Sequence, residues 1–180
     1  MTLAFVKSDA LPSDSIKQFA CLRNSVNKIT RELRGTFVVW PVFDLETTGF
    51  DPYNDKIIEI GAVKLDGTKI IDRFSTFVNP QKSIPPKITE ITSINDSMVK
   101  DAPIIENVII DFMKFCGNAT LVAHNAGFDV GFIKQNLAHI GRNFENSVID
   151  TLHWSRNILK ENKRHNLKEL CKYFSISLEN

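Results

Sequence analysis

Asp44 and Glu46, in the run Phe43-Asp44-Leu45-Glu46-Thr47-Thr48-Gly49, have the types and spacing that most directly suggest chemistry. They end an apolar stretch that reads as a strand, and residues two apart on a strand face the same way. Two carboxylates on one face near a domain interior repel each other and resist desolvation. A divalent cation removes that conflict, and hard oxygen donors suit Mg²⁺ or Mn²⁺. Alone, an Asp-x-Glu is more often a solvated strand end beside a turn. Thr47, Thr48 and Gly49 add weight here, because small residues let backbone amides approach a ligand closely.

A second constellation is His124-Asn125-Ala126-Gly127-Phe128-Asp129, where a short apolar strand meets a helix. Asp129 falls in the first helical turn, where the helix dipole favours its charge. By itself this segment is an Asn/Asp helix cap with Phe128 in the core. If it is a site, Phe128 is a platform on which a base stacks.

The elements that position these residues follow from periodicity. Residues 36–45, 56–65 and 69–78 read as three strands in sequence order. The last two are joined at Asp66-Gly67, a hairpin signal because both turn residues need positive φ. The stretch 79–87, with three prolines, reads as a loop. Asp101 then caps a helix with Pro103 in its first turn, and Ile104, Ile105, Val108, Ile109, Phe112 and Met113 form its buried face. Gly117-Asn118 ends it. Residues 120–123 and 147–150 are short strands, and 128–140, 151–160 and 166–174 are helices. Strands in a row, followed by strands alternating with helices, predict an α/β fold. Its sheet is mixed and five-stranded, three antiparallel strands then two parallel, flanked by helices. Residues 1–35 differ in composition and predict a helix over 14–33, as an appendage or the tail of a preceding domain; 36–180 are the main domain.

With 180 residues and 43% hydrophobic content, the chain has room for a sizeable core. It has no apolar run of eighteen residues, so no membrane span is expected and a cytoplasmic location is the default. The three cysteines, Cys21, Cys116 and Cys171, are far apart and odd in number. That argues against a disulfide framework or a Cys-based zinc site. The net charge of +1 gives no global signature for nucleic acid, but residues 1–35 and 151–180 each carry six Lys/Arg against three Asp/Glu. Basic flanks around an acidic centre suit a metal-holding enzyme that touches a polyanion.

Together these segments resemble the DEDD superfamily of 3′→5′ exonucleases. FDLETTG is similar to its first motif and HNAGFD to its second. Supporting stretches are DKIIEIGAVKLDG, FVNPQKSIPPKITEITSINDSMVKDAP, LVAHNAGFDVGFI, VIDTL and HNLKELCKYFSI. The likeness is nearest to the exonuclease domains of PolC-type DNA polymerases III, then to the proofreading epsilon subunit. It implies an RNase H-like fold and two divalent ions, Mg²⁺ or Mn²⁺. It also implies hydrolytic removal of nucleotides from a single-stranded or frayed DNA 3′ end, in company with a polymerase subunit or domain. On this resemblance Asp44, Glu46 and Asp129 are catalytic metal ligands. Thr47, Thr48 and Gly49 meet the terminal nucleotide, His124 and Asn125 line the site, Phe128 contacts a base, and Asp150 anchors a strand end.

Two departures bear on this. Trp40-Pro41-Val42 interrupts the first strand, so the strand starts at Val42 or bulges there. The family's His-x-Ala-x-x-x-Asp segment, source of the general base and fourth carboxylate, does not appear before Asn180. His165 does not replace it, because position 170 is Leu. The expectation is therefore a crippled or inactive chain. The alternatives are a non-catalytic nucleic-acid-binding or polymerase-docking module of the same fold, or an RNA-trimming enzyme.

Overall fold

The computed structural model describes residues 39–67 and 69–175. The helix predicted over 14–33, the appendage 1–35 and Cys21 lie outside the described residues. The elements are β1 (Val39–Thr47), β2 (Ile57–Asp66), β3 (Lys69–Phe77), α1 (Pro86–Thr92), α2 (Asp96–Val99), α3 (Ile105–Cys116), β4 (Leu121–Ala123), α4 (Ala126–His139), β5 (Val148–Asp150), α5 (Thr151–Ile158) and α6 (Leu167–Tyr173).

The strands form one five-stranded sheet in the order β3-β2-β1-β4-β5. β1 pairs antiparallel with β2 and β2 with β3, while β1–β4 and β4–β5 are parallel. This is the mixed sheet expected from the pattern of elements. Alternation along β1 sorts its side chains. Phe43 and Leu45 join Ile60, Ala62, Leu121 and Ala123 in the main core with α3 and α4. Trp40 and Val42 join Val63, Leu65 and Val122 in a second apolar cluster. Asp44 and Glu46 continue the series of Trp40 and Val42, so they belong to the second face.

Four local expectations change. β1 is described from Val39, residues 36–38 of the predicted strand lying outside the described residues, and it runs unbroken through Pro41, which pairs opposite Lys64, while the register shift falls between Glu46 and Thr47. The missing Pro donor therefore does not displace the acidic end of the strand. In the β2–β3 hairpin, Asp66 is still a strand residue, opposite Lys69. Only Gly67 of the predicted pair has positive φ, at +57°. α3 starts at Ile105, with Ile104 at its cap and no side-chain capping bond, so Asp101 caps nothing. Pro103 instead gives its carbonyl to Asn79 N at 2.9 Å. Finally, α1 and α2 occupy a stretch in which periodicity predicts no helix. Pro86 opens α1, where its missing N–H costs nothing, and Asn95 caps α2 by accepting from Ser97 N and Met98 N.

Candidate active site

Asp44 and Glu46 lie at the C-terminal end of β1, facing Gly61 and Glu59 across the antiparallel ladder. Directly opposed residues share a face, so Asp44, Glu46 and Glu59 stand together. Glu59 is 2% exposed, inside the apolar run Ile57-Ile58-Glu59-Ile60. Neither motif contains it. Its signal was there: a charge in the middle of an apolar run needs a partner or a task.

Asp129 arrives from the other side of β1. It is 3% exposed, in the first turn of α4, and its Oδ1 accepts from Leu45 N at 3.1 Å. That bond ties the helix to the strand residue between Asp44 and Glu46. Burial pushes the Asp129 carboxyl from 3.8 up to about 7, against its backbone hydrogen bonds and with help from Glu46 and Asp150. Asp44 is raised well above the ordinary carboxylate range, first by burial, then by the charges of Asp129, Glu46 and Glu59. The structure thus brings the three sequence-predicted carboxylates together and adds a fourth.

Among the described residues, no three His, Cys, Asp or Glu side chains are already disposed to hold a metal ion. The carboxylates are gathered without forming a finished cage. Their chemistry nevertheless fits a hard divalent cation: the donors are all oxygen, and the anionic forms of Asp44 and Asp129 are disfavoured until a positive charge arrives.

The small residues after Glu46 have mostly internal duties. Thr47 Oγ1 donates to Gly49 O at 2.6 Å. Thr48 Oγ1 donates to Asp55 Oδ1 at 3.1 Å and accepts from Lys56 N at 3.0 Å. Gly49 is small for a reason different from ligand approach: a Cβ there would lie under 3.0 Å from the Asp55 carboxyl.

His124 and Asn125 also act inside the protein. His124 Nδ1 lies 3.0 Å from Thr151 Oγ1, and the ring also hydrogen-bonds the His165 backbone. Burial lowers the His124 pKa, opposed by Asp150 and that backbone bond and assisted by Arg156 and His165. None of the four clustered carboxylates figures among these influences. Asn125 adopts the left-handed conformation, φ +61°, at the cap of α4. Its N–H donates to Asp150 Oδ1 at 3.0 Å, and the same oxygen accepts from Leu152 N at 2.9 Å. Asp150 therefore ties β5, α4 and α5 together at the strand ends.

Phe128 is half-buried, its ring 5.1 Å from that of buried Phe132 and 6.3 Å from that of Phe50. Phe50 is 78% exposed. Phe128 therefore serves as core on one side and open surface on the other, and Phe50 extends that surface outward. Phe50 too is a residue the motifs did not single out. Its signal was a large aromatic directly after Gly49, in a loop. Elsewhere, Cys116 and Cys171 are free and buried, and burial pushes the Cys116 thiol up to about 12. No described helix is long and apolar enough to cross a membrane.

A mixed sheet that gathers acidic residues at the end of its central strand suits a metal-dependent hydrolase, and comparison gives the class as exonuclease. Residues 42–180 match the family model described as exonuclease, RNase_T, and the chain belongs to that family of hydrolytic nucleases. Its relatives include the PolC-type DNA polymerase III of Clostridium perfringens, 55% identical over 139 residues, covering 77% of this chain and 10% of that protein. Another is the PolC-type DNA polymerase III of Caldanaerobacter subterraneus, 51% identical over 146 residues, covering 81% and 10%. The chain thus spans about a tenth of the length of these relatives. Among solved structures, exonuclease X in complex with 5′ overhanging duplex DNA is similar at a TM-score of 0.63 and 29% identity, covering 76% of this chain and 73% of that one. Product-bound exonuclease I shares the fold at a TM-score of 0.69 and 15% identity, covering 79% and 39%. The fold is RNase H-like, as in these exonucleases.

Proposed function

We propose that this domain removes nucleotides hydrolytically from the 3′ end of DNA, with Asp44, Glu46 and Asp129 as the ligands of Mg²⁺ or Mn²⁺. The observation that carries the proposal is the mutual repulsion at Asp44, where burial and three neighbouring carboxylates oppose ionisation. Folding retains such a cluster at a cost in stability, and a bound divalent cation converts that cost into affinity. The likeness to PolC-type polymerases supports DNA as substrate and a polymerase as companion.

When bound, a pair of divalent ions supplies an activated water and a counter-charge for the leaving oxygen. The residues of this chain do the rest. Leu45 N–H fixes one Asp129 oxygen and so aims the other. Glu59 adds negative charge beside Glu46 and strengthens the draw on cations. Phe128 and Phe50 offer ring faces on which the last bases of a single-stranded or frayed end stack. Asp150 and His124 hold the strand ends and the start of α4 in place.

The family's His-x-Ala-x-x-x-Asp segment is not among these 180 residues, and His165 is turned to its own loop, its Nε2 lying 3.0 Å from Asn162 O. A polypeptide of these residues alone is proposed to bind a 3′ end while hydrolysing it slowly, since general-base assistance is worth about 10²–10⁴-fold. The test uses 5′-labelled DNA and RNA oligonucleotides with Mn²⁺, and the chain with and without an appended His-x-Ala-x-x-x-Asp segment. Shortening of DNA from its 3′ end by the extended protein, stopped by Asp44→Asn, is the expected result. Faster trimming of RNA would favour the RNA-processing alternative. Activity indifferent to Asp44→Asn would sink the assignment.

A further inference from the structure

The loop between β1 and β2 carries Phe50 and Tyr53, which are 78% and 74% exposed. A segment that presents two aromatic rings to solvent needs something to hold it. The apolar anchorage is slight: Phe50 meets Phe128, and Pro52 approaches Gly131 of α4.

Asp51 shapes the tip, its carboxylate accepting from Tyr53 N at 3.0 Å and from Asn54 Nδ2, and the bonds that tie the tip back to the start of the loop meet at Asp55. Asp55 Oδ1 accepts from Thr48 Oγ1 at 3.1 Å, and Asp55 Oδ2 accepts from Asp51 N at 3.1 Å. Its own N–H donates to Asp51 O at 2.7 Å. The carboxylate also occupies the space where a side chain on Gly49 would sit. Lys82, from the loop after β3, comes within 3.8 Å of Asp55 Oδ1 and donates to Asn54 O at 3.3 Å. One carboxylate thus touches both ends of the segment that contains Phe50.

We propose that Asp55 is the positioning residue for Phe50, locking the β1–β2 loop so that the ring stands beside Phe128 where the last bases of the DNA stack. The inference rests on the reading of Phe50 and Phe128 as a base platform. It explains why a side chain on Gly49 would displace the Asp55 carboxylate and why Thr48 is a hydroxyl residue. Thr48 Oγ1 takes the Lys56 N–H and passes its own proton to Asp55, a relay that neither valine nor alanine reproduces. Asn at position 55 keeps most of this closure: its oxygen still accepts from Asp51 N and its amide donates to Thr48 Oγ1, while the Thr48 hydroxyl gives up the carboxylate that accepted its proton.

The test compares Asp55→Ala and Asp55→Asn, each with Phe50 intact and with Phe50→Ala. Amide exchange of residues 49–56 reads the loop without DNA, and anisotropy of a fluorescein-labelled oligothymidylate reads the platform. Asp55→Ala is expected to speed exchange across 49–56 by about ten-fold while β1 and β2 stay protected. It should also weaken oligonucleotide binding by about ten-fold, the loss of one stacked base. Asp55→Asn should restore both. In the Phe50→Ala background Asp55→Ala should add no further loss, since it acts through the ring already removed. Gly49→Ala should match Asp55→Ala in both assays. Unchanged exchange in Asp55→Ala, or an equal loss of binding with and without Phe50, overturns the role of Asp55. Faster exchange together with full binding by Phe50→Ala overturns the platform reading instead, and the link to DNA with it.

Discussion

Asp129 bears a carboxyl whose pKa in the folded chain lies near 7, above its ordinary 3.8. The folded state therefore holds a proton that the unfolded state has already released across that window. Its contribution to stability is present below pH 4 and is lost as the pH rises through about 7. Asp129→Asn keeps an acceptor for Leu45 N–H and removes the charge. Without divalent ions, thermal unfolding of this variant should match the parent at pH 4 and exceed it at pH 8, by a few kcal/mol at most. Mn²⁺ should reverse the order at pH 8, because only the parent has the full set of ligands. At the same scale, Phe50→Ala should leave stability nearly unchanged. Phe128→Ala should cost part of the roughly 3–5 kcal/mol of a buried Phe, since one side of its ring is packed. Denaturant titration of both variants separates the two cases. Asp44, Glu46 and Asp129 were legible because motif and spacing named them. Glu59 and Phe50 were not, because one looked like a strand residue and the other like loop punctuation, and only the fold puts Glu59 beside the carboxylates and Phe50 beside Phe128.

The elements were legible where hydrophobic period and length agreed. β2 and α4 carry long apolar patterns, and their predicted limits fall within two residues of those observed. α1 and α2 have seven and four residues, too short for a helical period to declare itself, and two prolines before Lys87 disguise a helix start as a loop. The start of α3 was misplaced for a related reason. Asp101 and Pro103 have the chemistry of a helix cap, but Pro103 is used to bridge to Asn79, and the chain turns helical only after it. Asp150 shows the opposite case, a cap read correctly as an anchor. Its single oxygen accepts from both Asn125 N and Leu152 N. Asp150→Ala should therefore cost about 1–3 kcal/mol in chemical denaturation, as a lost cap plus an unsatisfied amide. Asp150→Asn, which keeps the oxygen, should cost much less. Equal losses would mean that the charge of Asp150, rather than its hydrogen bonds, holds α4 to β5.

At the scale of the molecule, the sheet does one thing for the site: it brings the end of β1 and the first turn of α4 to the same place from opposite sides. Parallel pairing of β1 with β4 makes this possible, because the chain leaves β4 at the level of Asp44 and enters α4 there. The sequence pattern implied three antiparallel strands followed by two parallel ones, and the structure and similar folds agree with that; the pairing of β1 with β4 it did not give. The pattern could not give the depth of the carboxylates, which depends on how α4 packs over β1. What decides the chemistry is whether that buried negative cluster is a cation site. Calorimetric titration of Mn²⁺ into the chain and into its Asp44→Asn, Asp129→Asn and Asp150→Asn variants measures this most directly. Binding that is strong in the parent, lost in the first two variants and retained in the third is the expected result, with affinity rising as the pH passes through about 7. Absence of binding in the parent, or equal loss at Asp150, would contradict it.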